Sequence, residues 1–357
     1  MGDWPTGWPK GGCALKPISA KIRQSVHRLA KRYHDYSRCE SYREQFQQYC
    51  AERGLNIPWS SFRRAHALIH CNPYEFFLFK FYEKSPAEQD AYLTIWRRNC
   101  FARKIGDDQS ANGTAPGNKI LFNLILKDFL CREWLNLTAC TAEEFAAFVK
   151  KHGTVMIKPA CDGCGRGIRL YSYAGDEDAF ARHEALAGEA MLAEEMPAQH
   201  EWLNRLNPTC LNTVRICTYA DRDDVHILLA SLRTARGVSI IDNFDAGGIH
   251  VAVDLATGKL CSNATDEQMR DYPTHPLTGT KLNGFQLPNW DKALDVLHRA
   301  SRDMYALPGC RYLGWDIAFM KNGEVSIIEC NWRQGPQAQQ PHAKGMYHEL
   351  EALGKKL

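Results

Sequence analysis

The sequence contains no long hydrophobic run, although 45% of its 357 residues are hydrophobic and 24% are charged. Such proportions are typical of globular proteins. No apolar stretch approaches the roughly 20 residues of a membrane-spanning helix, and no secretory hydrophobic segment stands near residue 1. We therefore expect a cytoplasmic protein without a membrane span.

Paired cysteine spacings are also scarce. The 14 cysteines are scattered, and Cys161 and Cys164 form the one Cys-x-x-Cys pair, with no second pair at the spacing of a zinc ribbon. The cysteines are therefore expected to be reduced thiols, and a redox role for the pair stays open. None of the 13 histidines belongs to a convincing nucleophile–base triad, so covalent catalysis by serine or cysteine is not expected.

No single sign of charge dominates, since the net charge is +3. The distribution is uneven: residues 1–110 carry 18 Lys and Arg against 11 Asp and Glu, a net of +7, and the remainder carries 26 against 30, a net of −4. A basic region of this kind is usually a solvated helical face; contact with an anionic glycan, a lipid surface or RNA is the alternative. Because no recognisable nucleic-acid module is present, no nucleic-acid partner is expected.

Periodicity and composition divide the chain into three regions. We predict an N-terminal helical, basic region at 1–110, a second region with a glycine-rich lid at 111–200, and a C-terminal region at 201–357. Helices are predicted at 17–55, 59–71, 85–101, 119–135, 141–152, 176–186, 290–305 and 342–357. Strands are predicted at 154–159, 168–173, 191–196, 212–219, 225–233, 312–320 and 324–331.

Two apolar segments near the C-terminal end form the most informative pattern. Residues 312–320 and 324–331 are rich in aromatic and β-branched residues, which is typical of strands. Asn322-Gly323 between them is the preferred pair of a two-residue type I′ turn, which requires positive φ at both positions. The sequence therefore predicts an antiparallel hairpin closed by this turn.

This hairpin brings three oxygen-bearing side chains to one face. The predicted turn sets Asp316 opposite Glu329 and Gly314 opposite Asn331, and alternate residues of a strand share a face. Two facing carboxylates repel unless a cation or a proton lies between them. Two carboxylates and an amide suit Mg²⁺, whereas a hairpin with one protonated or solvent-facing acid is the alternative. The apolar residues of both strands favour the metal.

A glycine-rich loop joins two predicted strands further upstream. Strand 154–159 carries Lys158 immediately before the loop, and a strand rather than a helix follows the glycines Gly163, Gly165 and Gly167. Glycines at alternate positions let backbone N–H groups approach an anion, and a Lys in this place can reach phosphates. A strand-loop-strand lid over phosphates is one interpretation, and a plain turn is the other.

Several charged residues stand in or beside apolar strands. Arg215 and Arg233 each lie in an apolar strand, and a buried Arg requires a partner, either a phosphate or an acid of the hairpin. Lys119 begins a predicted helix and is either a second phosphate ligand or an exposed lysine. The acidic strand end Glu194-Glu195-Met196 fits a hinge beside a planar base. The glycine-terminated loop that contains Asp242, Asn243, Gly247 and Gly248 fits a substrate contact.

Taken in this order, the segments resemble an ATP-grasp enzyme, and most closely the sugar-transfer-associated ATP-grasp family. The resemblance covers roughly residues 115–340. It rests on a combination of short motifs, namely Asn212-Thr-Val-Arg215, Asp242-Asn243 with Gly247-Gly248, His275-Pro276, Pro288-Asn-Trp290, Gly314-Trp-Asp316 and Glu329-Cys-Asn331. It implies an α+β ATP-grasp fold, in which two α+β subdomains clamp ATP, with an N-terminal helical extension.

The resemblance also implies a role for each candidate residue, with ATP and Mg²⁺ as cofactors. Phosphate contacts would fall to Lys119, Lys158, Gly163, Gly165 and Gly167, adenine contacts to Glu194, Glu195 and Met196, and the ribose contact to Glu201. Mg²⁺ would be held by Asp316, Glu329 and Asn331. The transferred phosphoryl group would face Arg215, Arg233 and Asn243, and the substrate would contact Asp242, Gly247 and Gly248.

The activity implied by the resemblance is that of a carboxylate–amine ligase. Such an enzyme forms an amide bond through an acyl phosphate and releases ADP, here on an amino sugar, a peptide or a specialised metabolite. Its partners would be a small-molecule carboxylate and an amine, and the sequence gives no oligomeric state. A kinase that phosphorylates a hydroxyl and a non-catalytic nucleotide-binding scaffold are the alternatives.

Overall fold

Two antiparallel sheets carry the strands of the computed structural model, which describes residues 38–107, 115–161, 167–239 and 247–355. Within these ranges the strands are β1 (Trp134–Asn136), β2 (Thr154–Pro159), β3 (Arg169–Ser172), β4 (Met191–Glu195), β5 (Thr213–Ala220), β6 (Val225–Ala235), β7 (Gly248–Val253), β8 (Ala264–Thr265), β9 (Asp271–Tyr272), β10 (Tyr312–Phe319) and β11 (Val325–Trp332). The smaller sheet has the strand order β1-β4-β2-β3, and the larger has the order β11-β10-β5-β6-β7-β8-β9.

Helices surround both sheets and dominate the N-terminal part. They are α1 (Arg43–Glu52), α2 (Trp59–Ile69), α3 (Pro73–Leu78), α4 (Pro86–Asp90), α5 (Ile95–Lys104), α6 (Lys119–Ile125), α7 (Ala142–His152), α8 (Asp176–Ala185), α9 (Trp290–Tyr305) and α10 (Tyr347–Leu353). No helix in the described part of the chain is long and apolar enough to cross a membrane. The predicted α+β class and the predicted helical N-terminal region are confirmed.

The predicted helix at 119–135 is wrong beyond its first two turns. The helix ends at Ile125, and Trp134–Asn136 form a strand that pairs with β4. Between them, Cys131 adopts a positive φ of 48°, which a continuous helix excludes. Pairing with the neighbouring strand stabilises the extended conformation and overrides the helical periodicity of the sequence.

The predicted helix at 85–101 is interrupted. It consists of Pro86–Asp90 and Ile95–Lys104, and Thr94 between them is extended. The Thr94 hydroxyl donates to the carbonyl oxygen of Ile69 at 2.9 Å, which holds the interruption against the C-terminal end of α2. The predicted helical tail at 342–357 is likewise confined to α10.

The larger sheet is buried on both faces. On one face, α9 packs against apolar residues of the central strands, among them Ile216 and Trp315. On the other face, Phe101 of α5 packs against Tyr219 and Tyr312. Alternate residues of a strand point to opposite faces. Trp315 therefore lies on the face covered by α9, and Asp316 lies on the face that holds the candidate site.

The β10–β11 hairpin pairs Asp316 with Glu329 and Gly314 with Asn331 as predicted, but it does not have the predicted turn. Gly323 has a φ of 81°, whereas Asn322 is not among the residues with positive φ, so the type I′ prediction is wrong. A three-residue loop closes the hairpin instead, with Met320 N donating to Glu324 O at 2.8 Å and Gly323 N donating to Met320 O at 2.9 Å. This loop shifts the register by one residue, and a β-bulge that leaves Ile328 unpaired restores it.

The two sheets occupy different stretches of the chain. The smaller sheet lies within residues 134–195 and the larger within 213–332. The three-region division, with boundaries at 110 and 200, stays a prediction. The N-terminal helices pack on the larger sheet through the Asp107 carboxylate, which accepts the backbone N–H groups of Arg311 at 2.9 Å and Tyr312 at 3.0 Å.

Candidate functional site

Asp316 lies at the centre of a buried charged cluster on the larger sheet. The residue is 3% exposed, and its carboxylate accepts Arg215 Nε at 2.5 Å and Nη2 at 2.7 Å. Arg233 Nη1 lies 3.0 Å from each carboxylate oxygen. Burial alone would raise the pKa of Asp316, but the two guanidinium groups outweigh it and hold the pKa well below the usual range. Asp316 is therefore ionised at neutral pH.

Glu329 and Asn331 stand beside this carboxylate, as the hairpin predicts. Glu329 is the register partner of Asp316, and Asn331 is the partner of Gly314. Asn331 Nδ2 lies 3.4 Å from both Asp316 Oδ2 and Glu329 Oε1. Burial raises the pKa of Glu329, and the charge of Asp316 raises it further. A bound cation or an added proton would therefore stabilise this second carboxylate. We call Asp316, Glu329, Asn331, Arg215 and Arg233 the acid–arginine cluster.

The oxygen atoms of the cluster are suitable ligands for a hard divalent cation. Two carboxylates and one amide provide the oxygen ligands that Mg²⁺ prefers, and the raised pKa of Glu329 marks a charge that a cation would offset. Asn331 turns its N–H₂ toward the acids, so rotation of the amide by half a turn would present its oxygen. Within the described ranges no group of three or more His, Cys, Asp and Glu side chains could hold a metal.

Gln334 is part of the site, although the sequence pattern did not single it out for a role. Its side chain is 3% exposed, and its Oε1 accepts Arg215 Nη1 at 2.8 Å. A Cβ atom built on Gly314 would lie 1.9 Å from the same Oε1. Gln334 thus fills the space beside Gly314 and orients Arg215. A glycine inside an apolar strand was the signal for this close approach.

Lys158 and Glu194 form a second buried pair, on the smaller sheet. Lys158 Nζ lies 2.5 Å from Glu194 Oε2, and both side chains are buried. Arg132 Nη2 and Asn123 Nδ2 each donate to Glu194 Oε1 at 3.1 Å. Burial would raise the pKa of Glu194, but Arg132 and Lys158 outweigh it and lower the pKa far below the usual range. The carboxylate predicted to contact adenine therefore already accepts hydrogen bonds from three side chains of the chain itself.

Arg132, which the sequence pattern placed in a helix without a role, joins the two charged groups. Besides Glu194, its guanidinium donates to the carbonyl oxygens of Ile327 at 2.8 Å and Ile328 at 3.1 Å, on the bulged strand β11. Its side chain is 2% exposed. One buried residue thus connects the lysine-bearing sheet to the strand that carries Glu329. Only the three-dimensional contacts identify it.

The other predicted nucleotide contacts lie in separate places. Glu195 Oε2 accepts the backbone N–H of Glu133 at 3.0 Å, at the end of β4, and Met196 follows it, half-buried. Glu201 is exposed and lies 3.5 Å from Lys321 Nζ, beside the hairpin turn. The structure therefore does not gather these side chains around the acid–arginine cluster, and their contacts with adenine and ribose stay predictions.

The predicted glycine loops are described only in part. Gly163 and Gly165 of the lid, and Asp242 and Asn243 of the substrate loop, lie outside the described residues. Gly167 has a φ of 72°, and a Cβ atom there would lie 2.7 Å from the ring of Pro159. Gly247, with a φ of 87°, precedes Gly248, which is the first residue of β7.

Lys119 and His250 approach the cluster from two sides. Lys119 begins α6, its backbone N–H donates to Ala160 O at 2.8 Å, and its charge acts to lower the pKa of Glu329. His250 is the register partner of Arg233 on β7. Burial, and then the charge of Arg233, lowers the pKa of His250 well below its usual value, so its ring is neutral at pH 7.

Comparison with known proteins identifies the segment that contains these groups. The model of a family described as "Sugar-transfer associated ATP-grasp" matches residues 136–355. This segment includes β2 to β11 and the whole acid–arginine cluster. No curated protein sequence matches the chain at a significant level.

Several solved structures are similar to the chain at low identity. D-alanyl-alanine synthetase A from Vibrio cholerae O1 biovar eltor is 12% identical, with a TM-score of 0.40, over 68% of this chain and 64% of that one. The ATP-grasp ligase PsnB with its minimal precursor is 16% identical, with a TM-score of 0.42, over 70% and 64%. N5-carboxyaminoimidazole synthase from Aspergillus clavatus is 14% identical, with a TM-score of 0.33, over 60% and 44%. The chain thus covers less than two thirds of each of these structures, and similarity at this level does not extend to activity or substrate.

Proposed function

Since the chain belongs to the sugar-transfer associated ATP-grasp family, we propose that it is an ATP-dependent ligase that joins a small-molecule carboxylate to an amine and releases ADP. The observation that carries the proposal is the acid–arginine cluster, which sets two carboxylates and an amide beside two guanidinium groups. Such a cluster offers oxygen ligands to a cation and N–H donors to an oxyanion in one place.

The nucleotide would be held by groups of both sheets. We propose that Lys158 and Lys119 contact the phosphates, together with the lid that contains Gly163, Gly165 and Gly167. Lys158 would then exchange part of its contact with Glu194, now at 2.5 Å, for a phosphate oxygen. The chain segment that follows, with Glu195, Met196 and Glu201, would contact adenine and ribose.

Asp316, Glu329 and Asn331 would hold Mg²⁺. When bound, the ion neutralises charge on the phosphates and orients them. The pKa of Glu329 is raised because its negative charge is incompletely balanced by its surroundings. A bound cation would therefore stabilise the charge of Glu329 more than that of Asp316. Asp316 shares its oxygens with Arg215 and Arg233, which fixes its position before any ligand enters.

Arg215 retains donors for a reacting oxyanion. A guanidinium has five N–H groups, and Arg215 uses Nε and one N–H of each terminal nitrogen on Asp316 and Gln334. The remaining N–H groups would bind the transferred phosphoryl group and then the tetrahedral adduct, with Arg233 and Asn243 alongside. Asp242, Gly247 and Gly248 would contact the acid or the amine.

The proposed chemistry consists of two transfers. An oxygen of the substrate carboxylate attacks the terminal phosphorus of ATP, so that the acyl phosphate forms and ADP leaves. The amine then attacks the acyl carbon, loses a proton and displaces inorganic phosphate. The chain contributes position and charge, because phosphoryl transfer asks little covalent chemistry of a protein.

Hydroxylamine trapping tests this proposal. The protein is incubated with ATP, Mg²⁺, hydroxylamine and a panel of carboxylic acids that includes amino acids and acidic sugars. We expect a hydroxamate, ADP and phosphate in equal amounts from at least one acid, and no product with Asp316→Asn. Phosphorylated hydroxyl products without any hydroxamate would overturn the ligase in favour of a kinase.

A further inference from the structure

A cavity of about 230 Å³ lies between the N-terminal helices, the β8–β9 region and the segment that follows β11. Its walls combine apolar side chains and two aromatic rings with two lysines and several neutral polar groups, chiefly Phe79, Tyr92, Lys80, Lys84, Thr265 and Gln340. We call this cavity the lysine pocket. The acid–arginine cluster does not line it, and none of the roles proposed above involves it.

The charge of the lysine pocket is positive. Lys80 and Lys84 are both half-buried, and neither forms an ion pair with any residue in the described ranges. Lys84 Nζ lies 5.8 Å from the centre of the Tyr92 ring, and its charge also acts to lower the pKa of Glu88, which does not line the cavity. Asp271 is the sole acid among the lining residues. Two ammonium groups against one carboxylate favour an anionic ligand.

The backbone around the cavity is unusual. Lys80, Met269 and Ala343, all lining residues, have positive φ angles of 49°, 63° and 49°. Such angles are uncommon for residues other than glycine, and they concentrate where a ligand is gripped or a loop is held in one shape. Three separate segments therefore adopt unfavourable conformations to form one cavity.

The wall of the pocket continues the sheet face that carries the cluster. Thr265 is the register partner of His250, which is the partner of Arg233. Adjacent strands lie roughly 4.8 Å apart, so the backbones of Thr265 and Arg233 are about 10 Å from each other. Thr265 Oγ1 donates to Gln340 Oε1 at 2.5 Å, which fixes the segment after β11 against this wall.

We propose that the lysine pocket binds the carboxylate or phosphate group of a small polar ligand, of about the size of an amino acid or a monosaccharide. The assignment of this ligand rests on the proposed function. The acid that receives the phosphoryl group must place its reacting carboxylate at Arg215 and Arg233. We assign the anion held by Lys80 and Lys84 to the amine substrate, whose amino group would point along the sheet toward Arg233.

Methyl-lysine NMR provides a direct test that contains no ATP. Lysines of the whole protein are converted to ¹³C-dimethyl-lysines, and Lys80→Arg and Lys84→Arg assign the two signals by their disappearance. Sodium phosphate and sodium acetate are titrated in separate samples, with sodium chloride added so that ionic strength stays constant. We expect saturable shifts of both signals with at least one of the two anions, while exposed Lys150 on α7 stays unchanged. A larger response to phosphate or to acetate then tells which anion the ligand carries.

A paired variant supplies the second measurement. Lys80→Gln with Lys84→Gln is expected to weaken binding of the same anion about tenfold or more, since each lysine contributes a charge-assisted hydrogen bond. Lys150→Gln is the matched control, and thermal unfolding checks that both variants fold. Signals of Lys80 and Lys84 that stay unchanged with both anions, or an unchanged affinity in the paired variant, would overturn the site. The hydroxamate assay judges the ligase separately, so failure of one proposal does not imply failure of the other.

Discussion

Arg132 donates a hydrogen bond of 3.1 Å to the carbonyl oxygen of Ile328, the residue that the bulge of β11 leaves unpaired. A bulge frees backbone groups from the strand ladder, and here a guanidinium satisfies the freed oxygen. The same guanidinium holds Glu194, the partner of Lys158. Arg132 therefore contacts the bulge that sets Asp316 opposite Glu329. Through Glu194 it also fixes Lys158, the proposed phosphate-binding lysine.

Replacement of Arg132 is expected to affect both stability and metal response. Arg132→Ala leaves Glu194 with one cation and two carbonyl oxygens of β11 without a donor, which should lower the free energy of unfolding by about 3–5 kcal/mol. Arg132→Lys keeps the charge but loses the planar fork, and we expect it to fold while requiring more Mg²⁺ for half-maximal hydroxamate formation. Urea denaturation and a Mg²⁺ titration provide the two measurements. Arg169→Lys, on exposed β3, is the control, and an unchanged Mg²⁺ requirement in Arg132→Lys would contradict the bracing role.

Glu329→Gln should stabilise the protein while it abolishes activity. The pKa of Glu329 is raised in the folded chain, so its favourable contribution is complete below about pH 4.3, the unfolded value, and is lost as pH rises through the folded pKa. In buffer without Mg²⁺, the variant should gain about 0.5–2 kcal/mol at pH 7 and less at pH 4. Denaturation at the two pH values measures this difference, with exposed Glu189→Gln as the control. Equal stability of variant and native protein at both pH values would argue against an incompletely compensated charge on Glu329.

Acid should destabilise the protein through Asp316 and Glu194. The pKa of each lies below its usual range because of two basic partners. The stability that they contribute is present above their unfolded values, about 3.9 and 4.3, and is lost as pH falls toward the folded ones. Between pH 6 and pH 3 the free energy of unfolding, measured by denaturation, should therefore fall more steeply for the native protein than for Asp316→Asn. That variant retains only the pH dependence that comes from Glu194. Parallel curves would be the contrary result.

Gly314→Ala should displace Gln334. The new Cβ would lie 1.9 Å from Gln334 Oε1 and 2.7 Å from its Cδ, so the amide must leave Arg215. We expect a loss of about 1–3 kcal/mol in the free energy of unfolding and slower hydroxamate formation. The double variant Gly314→Ala with Gln334→Ala removes the obstructing atoms and should recover part of the stability but not the rate. A double-mutant cycle measures the coupling, and simple additivity of the two stability changes would refute the contact.

The pairing of the metal-binding candidates could be predicted, although one step of the reasoning was wrong. Asn322-Gly323 suggested a two-residue turn, and the pairing of Asp316 with Glu329 followed from it. The real loop has three residues, and the unpaired Ile328 compensates for the additional one. Turn propensities act locally, whereas the bulged residue is contacted by Arg132, which is 196 residues away along the chain.

The partners of the charged residues could be predicted only as alternatives. A buried arginine needs a counter-charge, and the sequence left a phosphate or a hairpin acid open for Arg215. The structure shows the acid. Arg132 and Gln334 escaped notice because nothing in their neighbourhood along the sequence marks them. Arg132 follows a helix that ends earlier than its periodicity suggests, and Gln334 is recognisable only through the glycine that it covers.

Gln339 ties the N-terminal helices to the segment that follows β11. Its Oε1 accepts the backbone N–H groups of Leu93 at 3.0 Å and Met346 at 3.1 Å, and its Nε2 donates to Leu93 O at 2.9 Å. A shortened protein cut to the family match at residue 136 would therefore leave this glutamine and the aromatic surface of Tyr219 and Tyr312 bare. Anyone producing the protein for crystallisation should keep the helical extension attached.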